Sequence, residues 1–121
     1  MGDISRSFSY KEFGCLCGKC KYRKGYQIDL GLVLALQRIR DEYGRPMPIN
    51  SGIRCPAHNH NVKGKLLSFH LPSQGCLAAD IGVTDRRGKI LIVKKALELG
   101  LSVGVYRTFI HIDNRPVQVV F

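Results

Sequence analysis

The strongest helical pattern in the chain covers residues 29–43, and it constrains the fold more than any other segment. Its apolar side chains recur at the spacing of one helix face: Leu32, Leu36, Ile39 and Tyr43. Asp29 opens the segment, Gly44 follows it as a stop signal, and Pro46 prevents the helix from continuing. The chain therefore contains an amphipathic helix, whose apolar face needs another layer of structure to cover it.

Short apolar segments on both sides of a second helical pattern predict a sheet. We expect strands at residues 47–51 and 77–83, with Pro48 placing the first at a sheet edge or a strand start. A second helix is predicted after Asp85, ending near Leu99, with an apolar face formed by Ile90, Val93 and Leu97. Three further strands are expected as an antiparallel meander, at residues 102–106, 109–113 and 116–121.

The remaining segments predict turns and a loop. Ser9 and Glu12 have the spacing of a capping box and predict a short helical turn. Residues 52–68 are polar, and we interpret them as one long, functional loop. The order of elements predicts an α+β fold, a small antiparallel sheet with two main helices packed on one face.

Length and charge limit the class of protein. A chain of 121 residues fits one domain, residues 1–121, and a hydrophobic content of 45% excludes a disordered tail protein. The longest apolar run, near residues 30–36, is too short for a membrane span, and the N-terminus shows no signal-peptide core. The net charge of +10 favours a polyanionic partner such as nucleic acid, an anionic membrane surface or an acidic cell wall.

Five cysteines form a second notable feature: Cys15, Cys17, Cys20, Cys55 and Cys76. The first three lie in a C-x-C-x2-C cluster within an N-terminal segment at about residues 8–26. With Cys55 as a fourth thiolate they fit a structural zinc site, but disulfides and reduced thiols fit the same residues. The odd number argues against a fully paired disulfide framework in a monomer.

Three polar side chains stand in apolar surroundings: His70, Asp80 and His111. Polar groups buried in such segments need partners. Two imidazoles and a carboxylate are a standard ligand set for catalytic zinc, which leaves a fourth position for water. Each of the three, taken alone, is better interpreted as a hydrogen-bonded core residue, and it is their combination that favours a metal site.

The residues around these three resemble the motifs of M15-type zinc peptidases. Residues 51–54 are similar to the family's SGxR segment, residues 68–70 and 75–81 to its SxH…GxAxD motif, and residues 109–113 to its HxD strand, in the same order. Residues 8–17 resemble the N-terminal stretch of the phage-type branch. The family contains zinc D-alanyl-D-alanine carboxypeptidases, dipeptidases and murein endopeptidases, and hedgehog signalling domains share its fold. The resemblance therefore implies a hedgehog-like fold and a zinc cofactor.

The resemblance also assigns roles to individual residues. It implies that His70, Asp80 and His111 bind zinc and that Arg54 steadies a substrate carbonyl or carboxylate. It places Ser68 in the substrate site. The alternatives are a surface arginine at position 54 and a turn hydroxyl at position 68.

Two departures from the family pattern affect these assignments. Nine residues separate His70 from Asp80, more than is usual, and Cys76 within this insert is a minor alternative to Asp80 as a ligand. Thr108 stands three residues before His111, where several members carry the carboxylate of the general base.

The catalytic base must therefore come from elsewhere. Asp113 points to the same strand face as His111, so we expect it to act as the base or to orient His111. A turn anchor beside Asn114 is the alternative. His58 and His60 are interpreted as exposed loop histidines.

Three functions follow from these observations. The leading hypothesis is a monomeric zinc peptidase acting on peptidoglycan stem peptides next to a D-amino acid. The second is an inactive zinc-binding module that only recognises the wall. The third, a basic nucleic-acid binder, leaves His70, Asp80 and His111 unexplained, so we do not expect a nucleic-acid partner. Without a signal peptide, access to the wall would come from a phage or a lysis system.

Overall fold

The computed structural model describes residues 2–121. A four-stranded antiparallel sheet forms the centre, and the strands are numbered along the chain: β1 (Ile49–Ser51), β2 (Ala78–Gly82), β3 (Ser102–Val105) and β4 (Phe109–Asp113). The helices are α1 (Leu30–Tyr43), α2 (Pro56–Asn61) and α3 (Arg86–Glu98), with 3₁₀ turns at Tyr10–Phe13 and Pro72–Gln74. The strand order is β1-β2-β4-β3, which confirms the predicted α+β class and places β1 at an edge.

The first long helix begins and ends where the sequence predicts. The Asp29 carboxylate accepts the Leu32 backbone N–H at 2.9 Å, which caps the N-terminus of α1. Gly44 adopts a left-handed conformation (φ 72°) and its N–H bonds the Arg40 carbonyl, which ends the helix. The predicted apolar face is buried, with Leu36 and Ile39 inaccessible to solvent.

The buried face of the second long helix is rotated from the predicted one: Val93 and Leu97 are partly buried against the core, but Ile90 is not. Asp85 caps α3 by accepting the Gly88 N–H at 2.8 Å, but the buried side chains are Ile92 and Ala96. Ile90 is 59% exposed. Residues two positions apart lie on nearly opposite sides of an α-helix, so burial of Ile92 against α1 and the sheet turns Ile90 outward.

Strand pairing divides the sheet into an apolar face and a polar face. In the β2–β4 ladder Asp80 lies opposite His111, and Ile81 lies opposite Ile110. Side chains alternate along a strand, so the two isoleucines enter the core with α1 and α3 while Asp80 and His111 project from the other face. The helices therefore cover one face, as predicted, and the opposite face is left for a site.

Residues 116–121 do not form the predicted third strand of a meander. They run parallel to β3 along its outer edge, with a single isolated bridge between Val103 and Val120. The prediction fails because β4 already pairs with β2 on one side and β3 on the other. A segment that follows β4 therefore cannot pair with it, and residues 116–121 lie along the free edge of the neighbouring β3 instead.

The predicted loop at residues 52–68 contains helix α2. Pro56 occupies its first turn, and the Cys55 sulfur accepts the His58 N–H at 3.4 Å in the capping position. Cysteine is not a usual N-cap residue, so the sequence carries only a weak start signal for this helix. None of the helices in the described part of the chain is long and apolar enough to cross a membrane.

The N-terminal segment is attached to the edge of the sheet. The predicted capping box forms, since the Ser9 N–H donates to Glu12 Oε2 at 2.7 Å. Phe13 is fully buried, and its carbonyl accepts the Ile53 N–H at 2.9 Å. This contact joins the segment to the turn that follows β1.

Candidate functional site

The structure brings His70, Asp80 and His111 together. One donor atom from each lies within 4.8 Å of the others. Asp80 Oδ1 is 3.0 Å from His111 Nδ1 and 3.3 Å from His70 Nε2. All three side chains are largely shielded, with exposures between 2% and 12%.

The sheet and one loop supply these three side chains. Asp80 and His111 are direct cross-strand partners in β2 and β4. His70 lies in the loop before β2, and its carbonyl accepts the Arg54 N–H at 3.0 Å. This hydrogen bond holds the loop to the turn after β1, so that His70 lies across from Asp80 and His111.

The long spacing between His70 and Asp80 is absorbed by a compact loop. Residues Pro72–Gln74 form a 3₁₀ turn, and the Cys76 N–H bonds the Leu71 carbonyl at 3.1 Å. Cys76 is buried in the hydrophobic core and lies outside the donor group. Cys76 as an alternative ligand is therefore wrong.

Hydrogen bonds to the far side of each imidazole place its protons. The Gly52 carbonyl can only accept, so His70 Nδ1–H donates to it at 2.6 Å, and Nε2 carries a lone pair. His111 Nε2–H donates to Asp113 Oδ2 at 2.7 Å, so its Nδ1 also presents a lone pair. His70 Nε2 is buried without a hydrogen-bond partner. Three electron-pair donors therefore converge on one point, and a cation satisfies all three.

The two carboxylates of the site are ionised at neutral pH. Burial raises the pKa of Asp80, but the neighbouring imidazoles of His111 and His70 outweigh it and hold the pKa well below its usual range. Burial likewise raises the pKa of Asp113, but hydrogen bonds from Arg115 and His111 lower it to about 2. Burial lowers the pKa of His111, yet the neighbouring carboxylates of Asp113 and Asp80 raise it overall.

Arg54 contacts the second oxygen of Asp80. Its Nη2 lies 3.1 Å from Asp80 Oδ2, while Nε donates to Ser51 Oγ at 3.2 Å and Nη1 to Asn59 Oδ1 at 3.4 Å. Contacts at all three nitrogens thus fix the orientation of the planar guanidinium group. This contact between Arg54 and Asp80 was not predicted, because it depends on how β1 and β2 meet.

Asp113 lies beneath His111 and is fully buried. Its Oδ2 accepts from His111 and from Arg115 Nη2 at 2.6 Å, and its Oδ1 accepts from Arg115 Nε at 2.8 Å. Both oxygens are therefore occupied. Of the two roles predicted from the sequence, this arrangement fits an orienting carboxylate and leaves no lone pair directed at a substrate.

Ser68 supports the loop as well as lining the site. Its hydroxyl accepts the His70 N–H at 3.2 Å, as the alternative of a turn hydroxyl predicted. It also borders a cleft of about 420 Å³ that opens over the donor group. Thr108, His58 and His60 do not line this cleft.

The cleft is cationic and partly aromatic. Its basic residues come from the loop after β1 and from beyond β4: Arg54, Lys63, Lys65 and Arg115. Among the described residues that line it, Asp80 is the one acid. Arg115 lies between two aromatic rings, 4.5 Å from the Phe69 centroid and 5.4 Å from that of Phe121. The walls suit a ligand that carries an anionic group.

Phe121, Lys65 and Arg115 were missed at the sequence level. The Phe121 ring covers Gly104, where an added Cβ would lie 2.4 Å from the ring, and its centroid is 5.4 Å from that of His111. No local pattern marks these residues, since they reach the cleft only through tertiary packing. The glycine opposite His111 in β3 is the one signal of a close approach.

The four cysteines grouped in the sequence also come together, outside the cleft. Sulfur atoms of Cys15, Cys17, Cys20 and Cys55 all lie within 4.8 Å of one another. The chain thus carries two groups of side chains with the chemistry of metal ligands.

Comparison with known proteins agrees with the site. A sequence profile of the family described as Peptidase M15 matches residues 6–113, which include both donor groups. No curated protein matches the chain.

Proposed function

Because this chain belongs to the peptidase M15 family, we propose that it is a zinc peptidase that cleaves peptidoglycan stem peptides next to a D-amino acid. The observation that carries the proposal is the convergence of His70 Nε2, Asp80 Oδ1 and His111 Nδ1, with the first buried and unpartnered. Two imidazoles and a carboxylate are ligands that zinc prefers. When bound, zinc supplies a Lewis acid for the scissile carbonyl and lowers the pKa of water to about 7.

The charge of the cleft supports a substrate with a free carboxylate. Lys63 and Lys65 border the opening, and neither is paired with an acid in the described residues. A stem peptide that ends in D-alanine presents such a carboxylate beside its last peptide bond. The basic wall would attract and orient it, and Phe69 and Phe121 would cover its apolar side.

Arg54 and Ser68 line the cleft together with the three donor residues. The Arg54 guanidinium uses three of its five N–H groups on Ser51, Asn59 and Asp80, which leaves two for a substrate oxygen. We assign it to stabilise negative charge that develops on the scissile carbonyl while it holds Asp80 in place. Ser68 would offer its hydroxyl proton to the peptide backbone.

Asp113 keeps the second histidine in the required tautomer. Its ionised carboxylate accepts the hydrogen bond from His111 Nε2–H, and Arg115 holds that carboxylate from the other side. We therefore assign Asp113 to position His111 rather than to take a proton from water.

A second candidate function rests on the same cleft. Asp80 is the one acidic residue among its described lining residues, and the exposed Thr108 stands where several relatives carry the base. These observations favour an M15-like module that binds metal and wall peptide without turnover.

Turnover of a defined peptide separates the two. Zinc-loaded protein is incubated with a pentapeptide ending in D-Ala-D-Ala, with its L-Ala isomer and with murein sacculi, and released amino acid and new amino groups are measured. Cleavage limited to the D-peptide or sacculi supports the peptidase. Peptide binding without cleavage supports the module, and a failure to bind zinc overturns both.

Two histidine variants provide the matched control. His70→Ala removes a donor and should abolish metal-dependent turnover. His60→Ala removes an exposed histidine outside the cleft and should leave turnover unchanged. Cleavage that survives in His70→Ala would disprove the mechanism.

A further inference from the structure

The four-cysteine cluster has the dimensions of a tetrahedral metal site. Its sulfur atoms lie within 4.8 Å of one another, and Cys17 Sγ and Cys55 Sγ are 3.9 Å apart. Four thiolates about 2.3 Å from a zinc ion form a tetrahedron whose edges are about 3.8 Å. The measured separation matches that edge.

The arrangement fits four thiolates on one ion better than two disulfides. A disulfide draws two sulfurs to about 2 Å and so divides four cysteines into pairs. Here the sulfurs share one neighbourhood, and backbone N–H groups point at them: Cys55 N–H at Cys15 Sγ and His58 N–H at Cys55 Sγ, both at 3.4 Å. Such N–H···S contacts stabilise the charge of a metal-bound thiolate.

The charge of the residues around the cysteine cluster also fits a zinc ion bound by four thiolates. Four thiolates and one divalent zinc leave a net charge of −2. The cluster's own segment carries four cations and no acid over residues 19–24: Lys19, Lys21, Arg23 and Lys24. These side chains offset the excess negative charge without competing for the sulfurs.

The segment that carries three of the cysteines has little else to hold it. Residues 14–28 form turns, and among the described residues no helix or strand lies between Phe13 and Leu30. Cys15 and Ile28 are buried, but most of the segment is exposed. Short segments with so small a core commonly depend on a metal or a cross-link.

We infer that Cys15, Cys17, Cys20 and Cys55 bind one structural zinc ion, distinct from the metal of the cleft. Cys55 lies between Arg54 and α2, so the ion would join the N-terminal segment to the turn that bears Arg54 and the Gly52 carbonyl. The inference does not depend on peptidase activity.

Zinc content per chain tests it directly. After saturation with zinc and removal of free metal, the full chain should hold two ions, Cys17→Ser one and His70→Ala one. Cys76→Ala is the matched control, because it removes the buried cysteine outside the cluster and should retain two. A full chain that holds one ion, lost in Cys17→Ser and kept in His70→Ala, would support this site and reject the cleft metal.

Two results would overturn the inference of a structural zinc ion. It is wrong if Cys17→Ser retains the zinc content of the full chain, or if mass spectrometry of the unreduced protein finds two disulfides among the four cysteines. If Cys17→Ser does not fold, the unmodified protein is titrated with an organomercurial and a zinc indicator. Release of one zinc as four thiols react supports the site, and release of none rejects it.

Discussion

The two groups of ligand side chains differ in what holds them in place. Asp80 and His111 are paired across neighbouring strands, and Gly52, Asp113 and Arg54 support the triad by hydrogen bonds. The four cysteines lie on turns and at a helix start. The cleft group is therefore preorganised by the fold, whereas the cysteine group would obtain its order from the ion. On our proposals, metal at the first site would serve chemistry, and metal at the second would serve structure.

The largest expected effect comes from removing one donor at each site. His70→Ala should lower turnover by at least about a thousandfold, since a bound metal contributes several kcal/mol to the transition state. Its melting temperature should fall less than that of Cys17→Ser. Turnover and thermal unfolding of the two variants are measured side by side. A larger loss of stability in His70→Ala would contradict the assignment of the structural role to the cysteine site.

Asp113→Asn tests whether the hydrogen bonds of Asp113 are needed to hold the donor atoms of the cleft in position. The amide cannot hold the Nε2 proton of His111 and the Arg115 guanidinium as the carboxylate does. We expect zinc affinity of the cleft to fall about 10- to 100-fold. Competition with a chelator measures this affinity, and the exposed Asp41→Asn is the control. Unchanged affinity together with lost turnover would instead return Asp113 to the role of base.

Arg54→Lys separates charge from the planar fork. Lysine keeps the positive charge near Asp80 but cannot reach Ser51, Asn59 and Asp80 together. Loss of one charge-assisted hydrogen bond in the transition state, about 1.5 kcal/mol, would lower kcat about tenfold. Steady-state kinetics should show this in kcat, and a change confined to KM would limit Arg54 to ground-state binding.

The smallest effect is expected at a residue that belongs to neither ligand group. Asp29→Ala removes the cap of α1, and should reduce the free energy of unfolding by about 1 kcal/mol. Zinc content and turnover should stay unchanged. Urea unfolding and metal analysis check this, and a loss of zinc would show that α1 helps to order one of the ligand groups.

The donor groups could be predicted because their chemistry is visible in the sequence. His70, Asp80 and His111 are polar residues in apolar surroundings, and the cost of burying them demands a partner. The α+β order followed from two helical periods and short apolar segments. Local pattern was sufficient where the residues that interact are near in sequence or share a strand face.

The features that the sequence did not predict correctly share one physical origin, because each depends on packing between distant parts of the chain. Ile90 is exposed because α1 and the sheet select the opposite side of α3. Residues 116–121 pair with β3 because β4 has no free edge. The cationic walls of the cleft, such as Lys65 and Arg115, come from separate loops, and their meeting has no local signature.

The pairing of Asp80 with His111 has a consequence for how the chain folds. A slip of one residue between β2 and β4 would turn one of these side chains toward the helices and separate the two donors. A metal ion that needs both would then bind only the correctly aligned sheet, and it would stabilise that alignment over its slipped competitors. The ion that we propose for the reaction would thus also favour the correct register of the two strands during folding.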